Sequence, residues 1–135
     1  MSDVNAEVVE SAAMEDAMEA ENRAYKESAQ LPVSKIAGYV LDVVGQRISA
    51  VAVGLSDARP IRLWQEGKEI RDENDGRLRL LYRVAKTVAS IYDESTARAF
   101  LRASSPYLSD SSPAQAIAAN RDVEVLEALR SFLEG

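Results

Sequence analysis

From Ile36 to Leu133 the apolar residues of this chain recur at intervals of three and four, and what interrupts them are cap and turn signals. Ile36, Val40, Val43 and Val44 make one stripe, and Ile48, Val51, Ala52 and Leu55 a second. Leu81, Val84, Ala85 and Val88 make a third; Val125, Leu126, Leu129, Phe132 and Leu133 close the chain. A helix buries residues at this spacing on one side, whereas a strand would scatter them over both faces. Only "RISAVAVGL" also alternates as a strand does. Gly54 stands where a helix C-cap belongs and Ser56-Asp57 offers the next N-cap, so this segment too reads as helix, followed by one with Pro60 in its first turn.

The same punctuation sets the organisation. A long helix is expected at about 76–91, central to the fold, with Arg79, Arg83 and Lys86 stacked opposite its apolar face. Asp93 is the expected cap of a helix containing Ala97, Phe100 and Leu101. Ser112-Pro113 is a cap followed by proline at the first helical position, Asn120 ends that helix, and Asp122 is the expected cap of the last. The fold class is all-α, a compact multi-helix domain. Residues 1–31 are rich in Ala and Glu and poor in large apolar groups, with Val8, Val9, Met14 and Met18 alone to offer a core, which predicts a flexible acidic arm ahead of Leu31-Pro32. Two helical regions follow, 32–92 and 93–135.

Composition narrows the chemistry. The chain has neither cysteine nor histidine, which removes disulfides, thiolate chemistry, the commonest metal ligand and the commonest general base. The carboxylate groups Glu66/Glu69 and Asp72/Glu73/Asp75 lie in a polar connector without aromatic walls or partners that would split their pKa values, so no catalysis is expected of them. "DENDG" lacks the alternating ligands of a calcium loop, and no phosphate-binding glycine loop occurs. No enzyme, no metal and no cofactor is expected. No apolar run approaches the ~20 residues of a membrane span and no secretory leader is evident, which predicts a cytoplasmic protein.

The net charge of −6 has to be divided to be informative. Residues 1–30 hold eight carboxylates against Arg23 and Lys26, while residues 47–86 carry nine basic and six acidic side chains. That local surplus permits an anionic partner. Within it, "GLSDARPIRLWQEGKEI" has the look of the second half of a helix-turn-helix, in which the outer face of the second helix enters the major groove. Arg59, Arg62 and Glu66 share one side of that helix, with Ile61 and Trp64 behind. Trp64 reads as core. Arg59 and Arg62 are candidate DNA contacts, as is the basic stripe of Arg79, Arg83 and Lys86; for each, a solvated helix face is the competing reading.

The run 96–135, "TARAFLRASSPYLSDSSPAQAIAANRDVEVLEALRSFLEG", carries a more specific pattern. Its landmarks are Ala97, Phe100-Leu101, Pro106, Leu108, Ser112-Pro113, Ala116, Val125, Leu126, Leu129 and Gly135. In this order they resemble the toxin-binding domain of Xre/MbcA/ParS-type antitoxins, with Phe100 where such domains commonly carry tryptophan. Residues 35–91 resemble the helix-turn-helix-like region that precedes that domain. The resemblance implies an antitoxin of a type II toxin-antitoxin pair that forms a homodimer, occludes a RES-type NAD-consuming toxin, and represses its own operon by binding operator DNA. It also implies toxin contacts at Ser131, Glu134 and Gly135, with the loop at Pro106, Tyr107 and Leu108 as a further candidate. Two other readings stay open: a helix-turn-helix regulator without a toxin, and a helical interaction module.

Overall fold

A computed structural model describes the backbone of residues 2–135 and the side chains from Met14 onward. Among these residues there are eight α-helices and no strand, as the apolar spacing requires. They are α1 (Ser2–Gln30), α2 (Val33–Tyr39), α3 (Gln46–Val53), α4 (Arg59–Gln65), α5 (Asp72–Ile91), α6 (Glu94–Arg102), α7 (Pro113–Ala118) and α8 (Asp122–Glu134). A π-helical turn at Val40–Val44 extends α2, and a 3-10 turn at Pro106–Leu108 joins α6 to α7.

Helix α5 is the axis, in contact with α1, α2, α3, α6, α7 and α8. It starts four residues earlier than the expected 76, because Asp72, Glu73 and Asp75 set carboxylates against the positive end of the helix dipole. Leu78, Leu81, Val84, Ala85 and Val88 are fully buried. Leu80, Tyr82 and Thr87 are buried as well, so this helix is covered nearly all round rather than on one face.

Most of the extra cover comes from α1, whose stretch from Ala20 to Ser28 packs on α5 where the sequence predicts a flexible arm. Ala20, Ala24 and Ser28, each four residues from the next, form a buried ridge small enough to bring the helix close to α5. Polar bonds flank the ridge. Tyr82 donates its hydroxyl to Glu27 at 2.6 Å, and Arg79 donates through one nitrogen to the carbonyls of Ser28 and Leu31 at 2.7 and 2.8 Å. Glu21 receives Arg83 at 3.3 Å and Arg130 at 3.2 Å, tying α1 to both α5 and α8. The side chains of residues 1–13, including the expected apolar pair Val8 and Val9, lie outside the described residues.

The π turn accounts for the first apolar stripe. The Gly45 N–H closes on the Val40 carbonyl at 2.9 Å, five residues back, and Val40, Val43 and Val44 all turn inward. Gly45 leaves the turn at φ +95, a backbone region that a side chain strains. Carbonyls of the turn find outside donors: the Ser49 hydroxyl reaches Val40 at 3.2 Å and Arg98 reaches Val43 at 2.9 Å. Gly45 then separates the turn from α3, which begins a register of its own. In α3 the buried residues are Ser49, Ala50, Ala52 and Val53, while the expected Val51 is exposed and Ile48 only half-buried.

The expected caps are met at Asp93, which accepts from the Thr96 N–H at 2.6 Å, and at Ser112, which forms a reciprocal capping box with Gln115. Asp122 is not a cap. It lies in the first turn of α8, and Arg121 occupies the cap position with no side-chain bond to the helix backbone. On α8, Val125 and Leu129 are fully buried, while Leu126, Phe132 and Leu133 pack at the edge of the core.

Because Leu129 is fully buried, Leu129→Ala is expected to cost about 2–5 kcal/mol in denaturant unfolding. Alkaline stability is set in part by two phenols. Burial, with Glu94 and Glu27 nearby, pushes Tyr39 up to about 12, and burial with the Glu27 bond pushes Tyr82 up as well. Unfolded, both would ionise near pH ~10, so their contribution is complete below that pH and is lost as pH rises through the folded values. Unfolding free energy should therefore begin to fall above pH ~10, and the fall should be shallower in Tyr39→Phe/Tyr82→Phe.

Candidate functional site

Helix α3, the turn at 54–58 and α4 form the helix-turn-helix-like segment. Gly54 caps α3 at φ +80, where the Leu55 N–H bonds back to Ala50 at 2.8 Å and reverses the chain. Asp57 accepts from the Arg59 backbone N–H at 2.9 Å, and Pro60 occupies the first turn of α4. Ile61 and Trp64 are buried, at 0% and 6% exposure, which settles Trp64 as core. The helix leans on α2. Arg59, Arg62, Leu63 and Glu66 are left facing outward.

The two arginines are held differently. Arg59 is paired side by side with Asp57, at 3.1 Å from Nε and 2.7 Å from a terminal nitrogen. Those bonds and the backbone N–H hold the Asp57 carboxyl down at about 2, so it is ionised throughout the working pH range and screens Arg59. Arg62 reaches the Gln46 side-chain oxygen at 2.7 Å and, among the described residues, pairs with no carboxylate.

The second candidate, the basic stripe of α5, is spent inside the fold. Arg79 binds Asp75 as well as the Ser28 and Leu31 carbonyls; Arg83 lies over the Tyr25 ring at 4.6 Å and pairs with Glu21; Lys86 sits 5.3 Å from the Tyr39 ring centre. Helix α1 covers Arg79 and Arg83, which removes them from a DNA surface. In sequence the stripe looks solvent-facing because no large apolar residue is on offer to cover it, and alanines with polar bonds do the covering instead.

The expected toxin contacts fall into two separate places. Pro106 and Tyr107 are exposed on the 3-10 turn, Tyr107 at 65%, whereas Leu108 is fully buried and acts as the anchor of that turn. Arg121 at the start of α8 donates to the Leu108 carbonyl at 3.2 Å and pairs with Glu124, fastening the loop to that end of the helix. Ser131 is half-buried and Glu134 and Gly135 are exposed at the other end. Some thirteen residues of helix at ~1.5 Å each separate them, roughly 20 Å. One end of α8 therefore cannot stand in for the other.

The far end borders a groove of about 770 Å³ between α1 and α8. Met14, Met18, Leu133 and Glu134 line it, together with the Glu21, Arg83 and Arg130 ion-pair cluster. Met14 and Met18 are 57% and 62% exposed. The sequence offers these methionines to a core; in the fold they are instead an adaptable apolar lip beside the end of α8.

No family model matches the chain, and neither a curated protein nor a solved structure matches it. The chemistry must be read from the geometry alone. Among the described residues no three acidic side chains converge to hold a metal, and Glu73 and Asp75 are engaged along their own helix with Arg77 and Arg79. Of the sequence-predicted candidates, those left exposed are the outward arginines of α4 and residues at the two ends of α8.

The two arginine sets should separate in stability measurements. Arg79→Ala removes charge-assisted bonds to Asp75, Ser28 and Leu31 and is expected to cost about 1.5–3 kcal/mol. Arg59→Ala/Arg62→Ala should leave the melting temperature unchanged, as replacement of exposed side chains does.

Proposed function

We propose that the chain is an antitoxin that binds and occludes a RES-type toxin and represses its own operon through α4. The reading rests chiefly on the C-terminal half, where residues that carry the family resemblance also do the structural work. Ala97 and Leu101 are buried, and Phe100 packs on Phe132 with ring centres 4.7 Å apart. Pro106 to Leu108 form the turn, Ser112-Pro113 opens α7, and α8 runs to Glu134 with its end beside an apolar groove.

Occlusion requires no reacting group on the inhibitor. It requires a rigid wedge and about 800 Å² of contact on each partner. Helix α8 is clamped at its start by Arg121 and near its end by Arg130 on Glu21, so the lip at Ser131, Glu134 and Gly135 is pre-positioned, and little ordering entropy is lost on binding. Met14 and Met18 supply apolar area beside it. On the DNA side, α4 presents Arg59, Arg62 and Leu63 on a helix buttressed by Ile61 and Trp64.

Co-expression tests the toxin reading. A protein encoded beside this chain's reading frame is produced with the full chain or with a chain ending at Leu133, after both are confirmed to fold and to dimerise alike. Growth should be rescued by the full chain and not by the shortened one. Rescue by the shortened chain, lost instead in Tyr107→Ala, would transfer the contact to the opposite end of α8. For the DNA reading, Asp57→Asn keeps an oxygen for the Arg59 N–H while removing the charge that screens that arginine. It should tighten operator binding by about two- to fivefold in an anisotropy titration.

A further inference from the structure

A second groove, of about 510 Å³, runs between α3, the end of α6 and the start of α7. Arg47 and Arg102 line it together with Gln46, Val51 and Gln115, and no carboxylate does. In a chain with 22 acidic and 16 basic side chains, this stretch is locally basic. Neither α3, "QRISAVAV", nor α7, "PAQAIA", contains a single acidic residue. Both arginines are exposed and neither is paired to a carboxylate among the described residues.

The groove is also continuous with the outer face of α4. Gln46 lies on its wall, and the oxygen of the same side chain holds Arg62 at 2.7 Å. Arg62 thus borders, through Gln46, the groove that Arg47 and Arg102 line, and the three come from three separate helices. Arg98, the neighbouring cation of α6, is turned inward to the Val43 carbonyl and takes no part. We infer that Arg47 and Arg102 clamp the phosphate backbone of duplex DNA beside the site of α4, so that the C-terminal helical region contributes directly to the DNA surface. This rests on the DNA-binding reading of α4 and extends it to residues outside the helix-turn-helix-like segment.

Backbone contacts of this kind have a recognisable signature. Each phosphate neutralised by a cation releases condensed counterions, and a lysine serves nearly as well as an arginine because charge, not fork geometry, is what counts. An acidic protein partner would also be attracted to the groove, but DNA is favoured by the shared wall with Arg62.

The test uses labelled duplexes of about 30 base pairs tiled across the DNA upstream of the chain's own reading frame, titrated by anisotropy between about 50 and 200 mM salt, a range over which phosphate contacts dominate affinity. The full-length chain is compared with Arg47→Gln/Arg102→Gln, which keeps the aliphatic stems, with Arg47→Lys/Arg102→Lys, and with Arg59→Ala/Arg62→Ala. The glutamine pair should reduce the slope of log affinity against log salt by about 1.8 per protomer and weaken binding to every tile alike. The lysine pair should retain the slope, and all variants should keep the parent's circular dichroism and melting temperature. An unchanged slope in the glutamine pair, with loss of binding in the α4 pair, overturns the clamp and leaves the α4 reading standing. A parent chain that binds no tile at about 50 mM salt overturns both. Intact DNA binding with loss of toxin capture in the glutamine pair overturns the clamp and gives the groove to a protein.

Discussion

Everything in this molecule is arranged around α5, a helix that buries two chemically different faces. One is aliphatic, with Leu78, Leu81, Val84, Ala85 and Val88 excluded from water. The other is cationic, and it can be covered only by something that satisfies guanidinium groups while approaching closely. Helix α1 meets both demands: Ala20, Ala24 and Ser28 let its backbone come near, and Glu21, Glu27 and the carbonyls at its end receive the polar atoms. Covering arginine with apolar bulk would have left its donors without partners, at a cost comparable to the gain from burial. The Nε of Arg83 is the one side-chain atom among the described residues that stays buried without a hydrogen bond, although the group as a whole has Glu21 and the Tyr25 ring.

This division of labour explains how an acidic chain can present a basic surface. The carboxylates of α1 are partly consumed on α5 and α8, so the arginines beneath them are structural. Arg59 is screened by a neighbour two residues away. Among the described residues, Arg47 and Arg102 line the second groove without a carboxylate partner, and Arg62, likewise without one, is bonded to Gln46 on its wall. Elsewhere on the molecule, Glu21 joins three helices and fixes the end of α8 beside the methionine lip. In the proposed reading, the groove side would serve nucleic acid and the methionine side a protein partner.

Much of the fold is legible in sequence because it depends on local rules. The caps at Gly54, Asp93 and Ser112, the proline positions and the core identity of Trp64 all arise from backbone geometry or from the size of a side chain. The departures have equally definite causes. Gly45, at φ +95, breaks the helix after the π turn at Val40–Val44 and starts α3 afresh, and the buried side of α3 carries Val53 rather than the expected Val51. Leu108 reads as a partner contact because it belongs to the same short loop as Pro106 and Tyr107, yet the turn inserts it into the core. Residues 1–31 read as a flexible arm because a hydrophobic count gives alanine ridges little weight.

Sequence by itself determined that the chain is helical, where most helices begin and end, and that it lacks histidine and cysteine for catalysis or metal binding. These are properties of short windows and of composition, which do not depend on where distant segments meet. Tertiary structure alone decided which charges are free. Arg79, Arg83, Arg47 and Arg102 look alike in the sequence, but a guanidinium is structural or available according to whether another helix brings it a carboxylate or a carbonyl. That partner can stand far along the chain, as Glu21 stands 62 residues from Arg83, and packing is what brings the two together.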